Sequence, residues 1–308
     1  MKKEKKELTG YPHIDKQWLE SYPEQALKLE YPDESVYDFF VRSNFSRQDN
    51  IATDFYGYKI SYGQMMENVE NLAKGLVAIG VNRQDRILSI LPTLSITADL
   101  FYATSKIGAV SDFYDPRPDS INQAVNGEKM LSIIQKEKIK YIVVFDQCYE
   151  ILFGAIEEKL KEIGIDTIVM FSSSDAMNLR GQAGFLIDEI DKNGYNLQSL
   201  KKLKTKLAAM KKNEEHINEI VAKSKLKIIK YHDLINNSRF VRVKDNKFIP
   251  NELALIVHTS GTSGAMPTPL PLTNENMNKH VQQIFATGDT YQPGDKVFHM
   301  LPYFASFG

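Results

Sequence analysis

The chain has 308 residues, of which 43% are hydrophobic and 25% charged, with a formal net charge of -1. That length supports a large core and roughly two lobes at ~150 residues each, and so balanced a charge gives no electrostatic reason to expect a nucleic acid partner. The single cysteine, Cys148, excludes an internal disulfide and suits a reducing cytosol.

The opening MKKEKKELTG is charged, but no apolar core follows it, and no apolar run approaches the ~20 residues that span a bilayer. A soluble, cytoplasmic protein is expected. Residues 1–35 carry the pairs Tyr11-Pro12, Tyr22-Pro23 and Tyr31-Pro32. Proline holds its predecessor extended, which predicts an irregular arm with short helices around Trp18 and Ala26. From Ser61 onward Met65, Val69, Leu72, Leu76 and Ile79 recur at three- or four-residue steps up to Gly80, the pattern of an amphipathic helix. DRILSILP (residues 85–92) reads as a strand closed by proline. A helix with Leu100, Phe101 and Ile107 follows and stops at Gly108, and AVSDFYDP is the next strand.

Ser120 with Gln123 reads as a capping box ahead of a helix through Met130 and Ile134. YIVVFD (141–146) is a β-branched strand, a helix over Ile151, Ile156 and Leu160 ends near Gly164, and TIVMFS follows. Strand, helix, strand with short turns predicts an α/β fold, a largely parallel sheet flanked by helices. Right-handed crossovers make it doubly wound.

The rhythm breaks over residues 173–227. Leu197, Leu200, Leu203, Leu207 and Met210 mark an amphipathic helix whose other faces carry Lys201, Lys202, Lys204, Lys206, Lys211 and Lys212. Such a helix suits an anionic membrane surface, but a solvated lysine face with the leucines docked on the protein is favoured. KIIKYHDLI then reads as a short strand into a turn, and residues 253–257 as a further strand. A helix from about Asn274 places Met277, Val281, Ile284 and Phe285 on one face. His280 shares that face as a core-edge residue, His299 falls on a strand, and no pair of histidines has metal-ligand spacing.

Between the strand at 253–257 and that helix lies HTSGTSGAMPTPLPLTNEN. Gly261 and Gly264 permit backbone angles closed to other residues, so successive N–H groups can point at one anion. Thr259, Ser260, Thr262 and Ser263 add hydroxyl donors without fixed charge. The P-loop pattern fails for want of Gly-Lys-Ser/Thr, and the dinucleotide pattern for want of GxG. On chemistry alone a turn-rich surface loop competes with a phosphate cradle.

TSGTSG with its preceding strand and the following LTNEN is similar to the phosphate-binding signature of the AMP-forming acyl-adenylate superfamily: acyl-CoA synthetases, peptide-synthetase adenylation domains and luciferases. GVNRQDRILSILP, KIGAV and DPR resemble that family's early core, and GDKVFHMLPYFASFG resembles the segment leading into its acyl-pocket helix. The three matches fall in register from roughly residue 33 to residue 308.

The resemblance implies an ATP-dependent ligase that turns a carboxylic acid into acyl-AMP and pyrophosphate, then passes the acyl group to a thiol, with Mg2+ neutralising phosphate. Coenzyme A is the expected thiol acceptor, a carrier protein the alternative. Thr259, Ser260, Gly261, Thr262, Ser263 and Gly264 would wrap the β- and γ-phosphates. Tyr303, Phe304, Ala305, Ser306, Phe307 and Gly308 would begin the acyl-pocket wall, with Phe304 and Phe307 as apolar lining.

There are departures. Thr268, or Pro267 on an ungapped count, stands where the family carries lysine, which should weaken phosphate binding without abolishing it. Ala305 and Ser306 occupy a region where many members carry histidine. The chain also stops where the family is little more than halfway: the whole of 1–308 reads as the N-terminal portion of the large adenylation domain. The rest of that domain and the small mobile domain with its catalytic lysine are absent, and the catalytic residues lie past Gly308. An inactive fragment is therefore expected, with apolar surface at the truncated edge and oligomerisation through it. The alternatives are a non-catalytic acyl- or nucleotide-binding module and a peptide-synthetase-type adenylation domain.

Overall fold

A computed structural model describes residues 8–55, 57–176, 197–244, 246–259, 267–287, 292 and 294–305. The N-terminal arm holds α1 (Pro12–Asp15), a 3-10 turn over Gln17–Ser21 and α2 (Glu24–Leu27), so the short helices around Trp18 and Ala26 are present. α3 (Val36–Asn44) starts at Ser35, whose side chain and that of Asp38 cap each other's backbone N–H. A hairpin of β1 (Ile51–Phe55) and β2 (Tyr58–Ser61) leads into α4 (Tyr62–Ala78), capped reciprocally by Ser61 and Gln64. α4 buries Met65, Val69, Leu72 and Leu76, as the spacing requires.

The alternation that follows is β3 (Arg86–Ile90), α5 (Ser95–Ile107), β4 (Val110–Phe113), α6 (Gln123–Glu137), β5 (Tyr141–Phe145), α7 (Asp146–Phe153), α8 (Glu157–Glu162) and β6 (Thr167–Phe171). Gly108 ends α5 at φ +78°, a left-handed cap that favours glycine. α6 is capped by Asn122, whose carboxamide accepts from the Ala124 N–H; the expected Ser120 cap fails because the Ser120 N–H is already given to Asn126 Oδ1.

After the excursion come α9 (Leu197–Lys223), β7 (Lys227–Lys230), α10 (Tyr231–Asn237), β8 (Leu253–His258), β9 (Pro269–Thr273) and α11 (Asn274–Ala286). The main sheet runs β7-β6-β5-β3-β4-β8-β9, parallel throughout except for the antiparallel β8–β9 pair. Side chains alternate across it. Ile87, Val143 and Val169 pack beneath α4, α5 and α10, whereas Leu88, Ile142, Val144 and Ile168 pack beneath α6, α7 and α8.

Four expectations change. YHDLI forms the helix α10 rather than a turn, because Leu234 has a buried seat against α4. α9 docks through Ile217 and Ile220 near its C-terminal end; Leu207 is largely exposed, so the leucine stripe is not what holds it where side chains are described. α11 turns the other way: Asn274 and Asn278 are buried, the first accepting from the Val36 N–H at 3.0 Å and the second donating to the Glu34 carbonyl at 2.9 Å. Val281, Ile284, Phe285 and His280 lie exposed on its outer side. His299 is in no strand; it stacks on Tyr303 at 4.8 Å. Exposed apolar surface near the C-terminal end is present at Val297, Phe298 and Met300. Among the described residues no helix is long and apolar enough to cross a membrane.

Candidate functional site

β8 lies second from the sheet edge, and its C-terminal end delivers His258 and Thr259 at the same edge where β4 delivers Phe113 and Tyr114. In open α/β sheets this carboxyl edge is where ligands bind. The loop leaving β8 is closed at its neck. The Thr259 N–H donates to the Thr268 carbonyl at 3.0 Å, and the Thr268 N–H donates to Thr259 Oγ1 at 3.1 Å. Antiparallel pairing of His258 with Pro269 continues the closure into β9. Ser260, Gly261, Thr262, Ser263 and Gly264 lie outside the described residues. Thr268, at the position expected for a lysine, is exposed.

On the α5 side of the sheet, Tyr303 and Phe304 pack against Phe113, Leu255 and Val257. Tyr303 borders a cavity of about 370 Å³ that Tyr62, Met65, Phe101, Phe113 and Leu255 also line. Its few polar groups include Asn44, Thr53 and Thr97. Apolar walls with sparse polar groups suit a hydrophobic ligand. Phe304 lies under the guanidinium of Arg117 at 5.6 Å, and Arg117 is itself paired with Asp115. Ala305 closes a turn onto the Pro302 carbonyl at 3.0 Å. Ser306, Phe307 and Gly308 lie outside the described residues. The structure thus brings Thr259, Thr268, Tyr303 and Phe304 to the β4–β8 part of the sheet.

Sequence reading missed what lies on the opposite face. Asp112 of β4 and Glu137 at the end of α6 converge on His258 of β8, and all three side chains are almost wholly buried. His258 Nδ1 is 3.1 Å from the Phe113 carbonyl; its Nε2 is 3.1 Å from Glu137 Oε1 and 3.6 Å from Asp112 Oδ1. Tyr114 meets the imidazole edge-on at 5.0 Å, and Arg86 donates to the Glu137 main-chain carbonyl at 2.8 Å.

Burial raises the Asp112 carboxyl well above its ordinary range, with His258 opposing. Burial also pulls the His258 imidazole down, but the Glu137 and Asp112 carboxylates and the Phe113 carbonyl together carry it above its usual value. The sequence signals were faint: an aspartate inside the apolar run AVSDFY and a histidine closing LALIV.

The AMP-binding enzyme family matches residues 40–308. A long-chain-fatty-acid–CoA ligase of Bacillus subtilis (strain 168) is 22% identical over 295 residues, covering 95% of this chain and 46% of the relative. Among solved structures, a long-chain-fatty-acid–CoA ligase from Archaeoglobus fulgidus superposes with a TM-score of 0.55 at 17% identity, over 91% of this chain and 44% of the other. MatB from Rhodopseudomonas palustris superposes with a TM-score of 0.56 at 16% identity, over 88% and 41%. These likenesses carry the fold, and the chain spans less than half the length of each of these three proteins.

Proposed function

The chain belongs to the AMP-binding enzyme family, and from that premise we propose that it supplies the phosphate loop and part of the acyl pocket of an ATP-dependent, AMP-forming acyl-CoA synthetase. The observations that support the reading are the closed neck formed by Thr259 and Thr268 at the carboxyl edge of the sheet and an apolar cavity bordered by Tyr303 and lined by Phe113 of β4 and Leu255 of β8. The carboxylate oxygen of the acid attacks the α-phosphorus of Mg-ATP, pyrophosphate leaves, and the thiolate of coenzyme A then displaces AMP from the acyl carbon. In this scheme the loop's N–H and hydroxyl donors hold the β- and γ-phosphates while the acid's apolar tail lies against Phe101, Phe113 and Tyr303. A long-chain fatty acid is the substrate class this lining favours, since its lining is mainly aromatic and aliphatic. A carrier-protein thiol in place of coenzyme A remains the alternative acceptor.

Titration of the 308-residue chain with Mg-ATP tests the loop. One saturable site is expected, with inorganic pyrophosphate as competitor. Thr259→Val deletes the acceptor of the Thr268 N–H while keeping side-chain shape, and is expected to weaken Mg-ATP by about 1 kcal/mol, the worth of one neutral hydrogen bond. Thr268→Lys is expected to strengthen it by about the same amount, because a charge-assisted contact replaces a neutral one. Affinity indifferent to both changes would reduce the loop to a surface turn.

ATP–pyrophosphate exchange by this chain with any fatty acid is expected to stay at background, since transition-state stabilisation at the α-phosphate needs preorganised groups that the family resemblance assigns to parts of the relatives this chain, spanning less than half their length, does not match. Exchange well above background would overturn that assignment.

A further inference from the structure

We propose that Asp112, Glu137 and His258 form a binding site for one divalent first-row metal ion, pinning β4, β8 and the end of α6 together beneath the root of the phosphate loop. The site is separate from any magnesium that accompanies ATP: it opens to the α6 side of the sheet, whereas Tyr303 and the apolar cavity lie on the α5 side.

Three observations carry it. First, the imidazole is oriented as a ligand. A carbonyl only accepts, so the contact of Nδ1 with the Phe113 carbonyl puts the proton on Nδ1. In the neutral ring this leaves the Nε2 lone pair aimed at the two carboxylates, the second-shell arrangement that metal-bound histidines use.

Second, the carboxylates are incomplete without a further partner. Both oxygens of Asp112 and Oε2 of Glu137 are buried with no hydrogen-bond partner, and Asp112 is 0% exposed. Buried carboxylate oxygens carry a large desolvation cost unless something positive or a proton meets them. Two carboxylates and a neutral imidazole around a divalent ion make an electrically neutral centre, which a buried site favours.

Third, the spacing fits. One ligand oxygen or nitrogen from each residue lies within 4.8 Å of the others. Nε2 is 3.1 Å from Glu137 Oε1 and 3.6 Å from Asp112 Oδ1. Two ligand atoms at ~2.05 Å from one ion, in tetrahedral disposition, stand ~3.3 Å apart. One nitrogen and two oxygen donors suit Zn2+, Mn2+ or Co2+, with water completing the shell.

The rival is a proton shared between Asp112 and Glu137 beside a charged imidazole, with no metal at all. The experiment strips the 308-residue chain with chelator, dialyses it against ZnCl2, passes it through a desalting column and measures retained zinc by plasma emission. Wild type is expected to retain one equivalent more than either Asp112→Asn or His258→Gln, and in those variants affinity should fall more than about 100-fold, beyond the loss of an outer-shell partner. Zinc should raise the thermal midpoint of wild type and leave that of Asp112→Asn unmoved.

Cobalt substitution reads the parent protein directly and does not depend on any variant folding. Bound Co2+ should show visible absorption bands of a low-symmetry nitrogen–oxygen site, which zinc abolishes one for one. Zinc retained equally by all three proteins, or a wild type that keeps none and shows no cobalt bands, would leave only the shared proton and sink the site. Mg-ATP affinity, measured on the same samples, reports the phosphate loop separately, so failure of one reading is visible without the other.

Discussion

Replacing Asp99 by asparagine is expected to stabilise the protein by about 2 kcal/mol at pH 8 and to destabilise it by about 1 kcal/mol at pH 4, where the buried carboxyl is neutral and only the unsatisfied amide donor counts. Asp99 sits between α4 and α5, 3% exposed, with one oxygen accepting from Asn68 Nδ2 at 3.2 Å and the other without a hydrogen-bond partner. Burial raises its pKa to about 7, against the Asn68 donor that lowers it. A folded-state value above the unfolded one, ~3.9, means the native state holds the proton more tightly. The stability is therefore fully present below about pH 4, is lost as pH rises towards 7, and stays lost above it.

Three units correspond to roughly 4 kcal/mol at most. A carboxamide in the same place avoids the buried charge but leaves one donor unsatisfied, a cost of about 1–2 kcal/mol, which sets the net gain. Urea unfolding of both proteins at pH 4 and pH 8 measures it. If the fall in stability across that range persists in Asp99→Asn, another group is responsible.

Gly75→Leu is expected to cost about 3 kcal/mol or more, and Gly75→Ala about 1 kcal/mol despite the better helix propensity of alanine. Gly75 lies on the buried face of α4, where a β-carbon would stand 2.6 Å from Leu234 Cγ and 3.0 Å from its Cδ2. Alanine gains ~1 kcal/mol of propensity in a helix interior, but overpacking a filled site costs ~1–3 kcal/mol. Leu234, 3% exposed, is what seats α10 on α4. A double-mutant cycle of Gly75→Ala with Leu234→Ala separates the terms: the pair should be more stable than the sum of the single changes by about 1 kcal/mol or more. Strict additivity would mean that the close approach carries no energy.

The parts of the fold legible in the sequence are those whose local pattern and tertiary role agree. β5, β6 and β8 are buried on both faces, so their apolar runs announce them, and α4 shows its burial in its spacing. β9 was hidden because PLPLT carries two prolines; it tolerates them as the outermost strand of the sheet. The hairpin β1–β2 was hidden by its short, partly polar strands, and α10 by its length of 7 residues.

α11 misled because only Met277 of its apolar stripe packs inward, against Phe113 and Leu255, while Val281, Ile284 and Phe285 face outward and two asparagines tie its inner face to backbone at residues 34 and 36. Hydrophobic period cannot report a face held by hydrogen bonds to distant chain. The segment TSGTSG stands out in the sequence because its residues are consecutive. The Asp112–Glu137–His258 cluster does not, because its members are brought together by the crossing of β4 and β8 and the length of α6, and each alone is an ordinary polar residue.

The insertion of β5, β6 and β7 between β4 and β8 has a kinetic consequence. β3 and β4 pair across the single helical crossover α5, Arg86 with Val110 after roughly 24 residues, whereas Ser111 meets Leu255 only after roughly 140 residues have been enclosed. Each doubling of enclosed length adds about 0.6 kcal/mol of closure entropy, and such distant pairings slow folding. The strands from β3 to β7 can therefore assemble first as one cooperative unit, with β8 and β9 recruited afterwards to the β4 edge. The amide protons of β8 should accordingly gain protection later in refolding than those of β5 and exchange sooner in the native state. The loop at 259–268 is thus carried by the last strands to arrive and the first to leave.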